Sequence, residues 1–288
     1  MTEPSQYQQL LRAILEHGSW SPTRQGPRTQ TYLNFTMRYN LAAEFPMITE
    51  RSIANFWQAP IGELVAFING ARTLDELRSY GCTWWDPWGS ENKCHKRGLE
   101  TGDIGPGSYG DVFTNFPGPD GTMFDQWPAL VDQIKTNPEV KTHVITNWKA
   151  GHLTRAYGHQ PTATIAPCHG HVQVTILDGK LHLTMVQRSG DVPVGVPANM
   201  VQYAAIALAL CHLTGYAPGE FHHHIVNAHL YEDQLPAAHE LAYERSSPPL
   251  PFMKYVGNAT DIKWVRADQF ELHGYHPNAP MPGIPVAT

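Results

Sequence analysis

Cys168 stands beside His169, and twenty residues on come Arg188-Ser189 and Asp191, followed by Asn199 at the mouth of an apolar stretch. A free thiol with a pKa near ~8.5 carries little thiolate at neutral pH, and a neighbouring guanidinium favours the anion. The same guanidinium can hold a phosphate through forked hydrogen bonds. Together these residues point to attack by sulfur on an anionic, hydrogen-bonding substrate. A lone cysteine is more often buried and inert, so this reading depends on the company Cys168 keeps.

The intervening segments predict how these residues meet. Val172 to Ile176 alternates, Asp178-Gly179 is a hairpin turn, and Leu181 to Met185 alternates again. Strand, turn and returning strand bring Arg188 back beside Cys168. Met200 to Leu213 is nearly all apolar and predicts a core helix, with Asn199 at its entrance offering both an amide donor and a carbonyl acceptor. Glu63 lies in the apolar helix Ile61 to Ile68. A carboxylate buried there is costly unless paired or protonated, and its pKa rises toward acid–base use; the competing reading is an exposed helical Glu. The segment Phe221-His222-His223-His224-Ile225 alternates poorly and suggests metal. Adjacent strand residues point to opposite faces, so a strand with tolerated histidines is the better reading. His229 and Tyr231, two apart, share a face. Thr83 to Trp88 is the densest aromatic run.

At 288 residues the chain suits one α+β domain with a large core. A formal charge of -6 with 16% charged residues lacks the basic footprint of a nucleic-acid binder. Met1 to Trp20 reads as an amphipathic helix carried by Leu10, Leu11, Ile14 and Leu15, and the helix from Phe124 to Thr136 precedes a strand opening at Val140. No stretch approaches the ~18 apolar residues of a membrane span, so a cytoplasmic protein without a membrane partner is expected. Cys82, Cys94, Cys168 and Cys211 are too scattered for a disulfide scaffold. Cys82, Cys94 and His95 match no ordinary zinc spacing, and no metal is expected.

Ala166-Pro167-Cys168-His169, Gln187-Arg188-Ser189-Gly190-Asp191, Gly195-Val196-Pro197-Ala198-Asn199 and Ala228-His229-Leu230-Tyr231 resemble, in this order and spacing, the thymidylate synthase superfamily, which includes the pyrimidine nucleotide hydroxymethylases. Similar segments run from about Arg28 to Ala287. The resemblance implies a single thymidylate synthase-like domain over residues 1–288, α+β, with a mixed sheet and packed helices. It implies that Cys168 adds to C6 of a pyrimidine nucleoside monophosphate and that 5,10-methylenetetrahydrofolate, as co-substrate, supplies a one-carbon unit to C5. Glu63, Tyr109 and His169 would manage protons, while Asn199 and Asp191 orient base and pterin. Arg28, Arg188 and Ser189 would bind the nucleotide, as would Lys141, which reaches the phosphate of the second subunit of a homodimer. His229 and Tyr231 would meet the ribose. Trp85, Trp88, Asp191, Gly195 and Ala287 would meet the folate, with Pro285 to Ala287 as a lid.

Several departures from the family pattern bear on the product. Arg28-Thr29 lacks the following glycine turn, and Lys141-Thr142 replaces two arginines, a point charge for a fork. Asn199 goes with uracil where an Asp would go with cytosine. Ala198 stands where methylating members carry phenylalanine, Glu50-Arg51 replaces a basic pair that would hold the folate's glutamate tail, and Gly89 to Gly102 is a polar insertion. These point to water, rather than hydride, completing the reaction: 5-hydroxymethylation of dUMP. The alternatives are thymidylate synthesis, hydroxymethylation of dCMP or CMP, and, from another class, a non-catalytic nucleotide-binding paralogue.

Overall fold

The computed structural model describes residues 3–24 and 26–287. Met1 and Thr2 of the expected first helix, Gln25 of the arginine loop and Thr288 of the tail lie outside the described residues. Helix α1 spans Gln6–His17, with Ser5 and Gln8 forming a reciprocal capping box and Tyr7, Leu10, Leu11 and Ile14 buried. It is shorter than the amphipathic stretch because the chain turns extended at Gly18 and enters β1, Ser19–Ser21.

The main sheet adds β2 (Thr29–Asn40), β3 (Val144–Ile145), β4 (His171–Leu177), β5 (Lys180–Gln187), β6 (Gly190–Asp191) and β7 (Ala217–Tyr231). Its order is β1-β2-β7-β5-β4-β3, with β6 also paired to β7. The β5–β7 and β6–β7 pairs are parallel and the others antiparallel. The fold is thus α+β with a mixed sheet. The expected strand at Val140 begins only at Val144, and the helix expected from Phe124 begins at Gln126, because Asp125 caps it and Phe124 pairs with Phe116.

In the β4–β5 hairpin, Leu177 pairs with Lys180 across a two-residue loop. Asp178 at φ 52° and Gly179 at φ 72° supply the left-handed pair that a type I′ turn needs. The register carries through to the backbone N–H of Arg188, which donates to the Cys168 carbonyl at 2.8 Å. Strand β7 alternates more cleanly than its sequence suggests: Phe221, His223 and Ile225 are buried, while His222 and His224 lie half-buried between them.

Helix α2 spans Gln58–Ile68, α3 Tyr109–Thr114, α4 Gln126–Thr136 and α5 Gly195–Thr214. Helix α5 starts five residues before the expected Met200, so Asn199 sits inside its second turn rather than at its entrance. Pro197 is tolerated because a first-turn N–H has no intrahelical acceptor. Contrary to the sequence expectation, α5 is long and apolar enough to cross a membrane by length and composition; 89% of that window is buried within the protein, as befits a core helix. Against it pack α2 and the sheet, and Tyr203, Phe67, Phe113 and Trp127 are fully buried.

Candidate active site

Cys168 lies just ahead of β4 on the wall of a cavity of about 1410 Å³. Its thiol donates to the Ala166 carbonyl at 3.5 Å and receives Arg188 Nη2 at 3.5 Å. The guanidinium is held by backbone, Nε donating to Pro167 O at 2.7 Å and Nη2 to Ala166 O at 2.8 Å. Arg188 also lines the cavity. Burial pushes the thiol up and Arg188 pulls it down, burial being the larger effect. The expected thiolate stabilisation is therefore outweighed in this arrangement: the Nη2–Sγ contact is long, and the same nitrogen serves Ala166 O.

His169, next in the chain, is buried, and its Nδ1 bonds Tyr203 Oη at 2.9 Å. Burial, with help from His223 and Arg188, pulls its pKa down to about 3, so it is neutral at pH 7. Gly170 follows at φ 105°, and a Cβ there would meet Asn147 Nδ2 at 2.4 Å. That asparagine donates to the His169 carbonyl at 2.6 Å, so only glycine fits. Tyr109 sits behind Cys168 rather than on the cavity wall: it is 3% exposed, stacks on Phe67 at 4.7 Å, and its hydroxyl accepts the Cys168 backbone N–H at 2.7 Å.

Glu63 on α2 is buried, which removes the exposed-helix reading, and it lines the cavity. Trp84 Nε1 donates to its Oε1 at 2.7 Å, Trp85 Nε1 donates to the same oxygen, and Gln202 Nε2 donates to Oε2. Burial raises its pKa and these donors pull part of it back. From Glu63 a chain of amides runs through the core. Asn199 Nδ2 donates to Gln202 Oε1 at 3.0 Å, Gln187 Nε2 donates to Asn199 Oδ1 at 2.9 Å, and His223 Nε2 lies 2.7 Å from Gln187 Oε1. Gln187 Nε2 also donates to the Ser189 carbonyl at 3.0 Å, a group that can only accept, which fixes the direction of the chain. Every link then donates toward Glu63. His223 is buried with its pKa down at about 3, and its Nδ1 has no partner among the described residues.

Ser189, Asp191, Gly195, His229, Tyr231, Trp88 and Ala287 all line the same cavity. Asp191 accepts Gln234 Nε2 at 3.1 Å on both oxygens, and burial lifts its pKa to about 7. Gln234 Nε2 also donates to Pro285 O at 2.8 Å, tying the C-terminal segment to Asp191. His229 and Tyr231 meet edge to face at 5.3 Å, and burial pulls His229 down to about 4.

Four of the sequence-derived candidates stand elsewhere. Arg28 pairs with Glu232 at 2.7 Å and packs on Trp20, both away from the cavity; Arg24, in the same loop, lines it instead. Trp85 lies behind Glu63, so Trp84 joins Trp88 on the wall. Tyr109 is the third, and Lys141 is exposed outside this chain's own cavity. Glu50 also turns away: it bonds Ser5, Ser247 Oγ at 2.7 Å and the Thr49 N–H at 3.0 Å. Its neighbour Arg51 lines the cavity, with Nη2 on Pro193 O at 2.8 Å and a buried Nε that has no partner among the described residues. Cys82 lies near Glu63, Cys94 donates to Asp103 O, and exposed His95 lies near Glu91, so the three do not converge.

Sequence reasoning missed Arg24, Gln187, Gln202 and His223. For Arg24 the signal was available in principle, since two arginines share the loop. The amide chain links α2, α5, β5 and β7, and no local pattern announces it.

Fold and site together define a class: an α+β protein in which an arginine-clamped cysteine shares one cavity with a buried carboxylate and a fixed asparagine. The thymidylate synthase family model matches residues 5–287. The protein named thymidylate synthase in Varicella-zoster virus (strain Dumas) is 32% identical over 294 residues, covering 98% of this chain and 93% of its own length. Its counterpart in the Oka vaccine strain matches equally. The chain belongs to the thymidylate synthase family. Members are transferases that act on a pyrimidine nucleotide with methylenetetrahydrofolate as co-substrate.

Proposed function

We propose that this chain transfers a one-carbon unit from 5,10-methylenetetrahydrofolate to C5 of a uracil nucleoside monophosphate through Cys168, and that water completes the reaction to give a 5-hydroxymethyl nucleotide. The observation that carries the covalent reading is the placement of Cys168, Arg188, Glu63 and Asn199 around one cavity. Sulfur forms a bond to C6 as the C5–C6 double bond breaks, and its electron pair passes to C5, which bonds the incoming carbon. Loss of the C5 proton and return of the sulfur's electrons release the nucleotide. The bond from the transferred carbon to the folate nitrogen breaks with its electron pair going to nitrogen, which takes a proton to give tetrahydrofolate, and water adds its hydroxyl to the freed methylene carbon to complete the hydroxymethyl group.

Arg188 and Arg24 suit the phosphate, and Asn199, with Oδ1 fixed as an acceptor and Nδ2 as a donor, suits uracil N3–H and O4. The folate fits this wall: Trp84 and Trp88 offer flat indoles, and Asp191, Gly195, Ala287 and the Arg51 side chain line the same cavity. When bound, the co-substrate supplies carbon at the oxidation level of formaldehyde. Neutral His169 and the carboxylate of Glu63 are placed to move protons through ordered water. Ala198 on the cavity wall leaves room for that water.

Thymidylate synthesis is the second reading. The viral relatives' names favour it, and so does the burial of Glu50 away from the cavity, which leaves Arg51 as a cation on the wall. The deciding experiment incubates the protein with methylenetetrahydrofolate and dUMP, UMP or dCMP, and reads product mass and dihydrofolate absorbance. A hydroxymethylated uracil nucleotide without dihydrofolate supports the first reading; a methylated product with stoichiometric dihydrofolate replaces it with the second. We further infer a homodimer in which exposed Lys141 serves the partner's phosphate site. The sheet leaves Leu33 60% and Leu177 57% exposed, apolar surface that a second copy would cover. A monomer in sedimentation at micromolar concentration would remove that inference.

A further inference from the structure

The backbone of Cys168 and His169 is held from three different elements. Tyr109 Oη on α3 accepts the Cys168 N–H at 2.7 Å, the Arg188 N–H just past β5 donates to the Cys168 carbonyl at 2.8 Å, and Asn147 Nδ2 donates to the His169 carbonyl at 2.6 Å. Asn147 arrives from the side opposite Arg188. Val144 of β3 pairs with Gln173 of β4 and Ile145 with Val172, so the same antiparallel register continued by two residues sets Asn147 opposite Gly170. The segment ahead of β4 is thus flanked by Arg188 on one side and Asn147 on the other.

Asn147 stands on a fixed base. Gln126 of α4 grips the preceding residue at both backbone groups, Nε2 donating to Thr146 O at 2.8 Å and Oε1 accepting the Thr146 N–H at 2.9 Å. The same Nε2 donates to Val112 O at 2.9 Å on α3, the helix that presents Tyr109. One buried amide therefore ties together two of the supports of the Cys168 segment. The arrangement has a visible cost. Asn147 is fully buried and its Oδ1 has no partner among the described residues, an acceptor that burial penalises. Gly170 must stand at φ 105°, with no room for a Cβ beside Nδ2. An apolar residue at 147 and an ordinary one at 170 would fill the space without either cost. They would not supply the donor on His169 O.

We propose that Asn147 is a positioning residue for the reaction: by holding the His169 carbonyl it keeps the Cys168 thiol beside Arg188 and the His169 ring on the cavity wall. Asn147 itself does not line the cavity. The inference rests on the reading above that Cys168 is the nucleophile. The thiol is sensitive to such a support because Arg188 Nη2, at 3.5 Å from Sγ, already makes a long contact and opposes the upward push of burial. Any drift of the segment loosens that contact further.

The test uses the full chain as wild type, Asn147→Ala and Asn147→Asp, with two readouts: kcat and KM for dUMP with methylenetetrahydrofolate, and the pH dependence of Cys168 alkylation by iodoacetamide, followed by mass. Asn147→Ala is expected to lower kcat about tenfold while KM stays within about threefold, and to move the alkylation midpoint to higher pH. Asn147→Asp keeps the shape and, when ionised, has no proton to donate. Its kcat relative to wild type should fall at least as far at pH 8 and recover as pH drops and the carboxyl regains a donor, a profile that a purely structural role would not produce. Asn147→Ser, smaller and still polar, gives the same reading as Asn147→Ala should the cavity or the carboxyl impair folding. Variants that keep the wild-type kcat and alkylation profile, or that lose stability alone, overturn the proposal. If even wild type turns over no nucleotide, the functional reading fails, and the alkylation profiles still decide whether Asn147 positions the thiol.

Discussion

At the scale of single residues, the direction of the amide chain has consequences that no one side chain suggests. Gln187 cannot turn its amide over without setting its carbonyl against Ser189 O, and Gln202 cannot turn without setting its carbonyl against the Glu63 carboxylate. Asn199 between them is therefore locked. A Gln187→Glu substitution removes the donor, so Asn199 must turn its Nδ2 toward position 187 and its Oδ1 toward Gln202. Gln202 then follows, and Glu63 must take up a proton to donate in return. The expected outcome is roughly ten- to hundredfold weaker dUMP binding with a relative gain for dCMP, the scale of one or two mismatched buried hydrogen bonds. Competition binding of the two nucleotides checks it; an equal loss for both would mean that the lock does not set base choice. Cys168→Ala is the simpler case. It should abolish turnover while leaving dUMP affinity within about threefold, because the arginine clamp rests on backbone carbonyls rather than on the thiol.

At the scale of elements, the β4–β5 hairpin was legible because two alternating runs flank Asp178-Gly179, and period-two alternation with a two-residue turn leaves one register. That register alone delivers Arg188 to Cys168. Gly179→Val should cost about 1–2 kcal/mol in urea unfolding, since a β-branched residue at φ 72° is strained. A smaller loss would show that the turn relaxes to another type. Other features were not legible because adjacent residues diverge only in three dimensions. Glu50 and Arg51 are neighbours, yet one is captured by Ser5 and Ser247 and the other reaches the cavity. Arg24 and Arg28 share a loop, yet Glu232 captures only the second. Which member of each pair serves the site depends on partners far away in sequence. The same is true of α5, whose hydropathy alone does not distinguish a membrane span from a core helix; the surrounding α2 and sheet make the distinction.

At the scale of the whole molecule, the buried titratable groups set how stability changes with pH. His169 and His223 have folded pKa values of about 3 and His229 of about 4, each below the ordinary 6.5. Between those values and 6.5 the unfolded chain binds more protons at these sites, so stability rises with pH there and is lost as pH falls. Asp191, lifted from 3.8 to about 7, has the opposite sign: the folded chain holds its proton longer, so its contribution falls as pH rises from about 4 to 7. Glu63, also raised, acts in the same direction as Asp191. Three histidines against two carboxylates leave a net loss of stability on acidification. The urea midpoint should therefore climb between pH 4.5 and 6.5. Replacing His223 with Phe should remove at most about one proton from that slope, ~1.4 kcal/mol per pH unit, whatever it does to the midpoint at pH 7. Asp191→Asn should steepen the slope by a similar amount, because it removes an opposing group. If both variants kept the wild-type slope, neither group would be held away from its ordinary pKa. The shifts read for His169 and Asp191 would then lose their support too, since they depend on the same burial, while the placement of Cys168, Arg188, Glu63 and Asn199 around the cavity would stand.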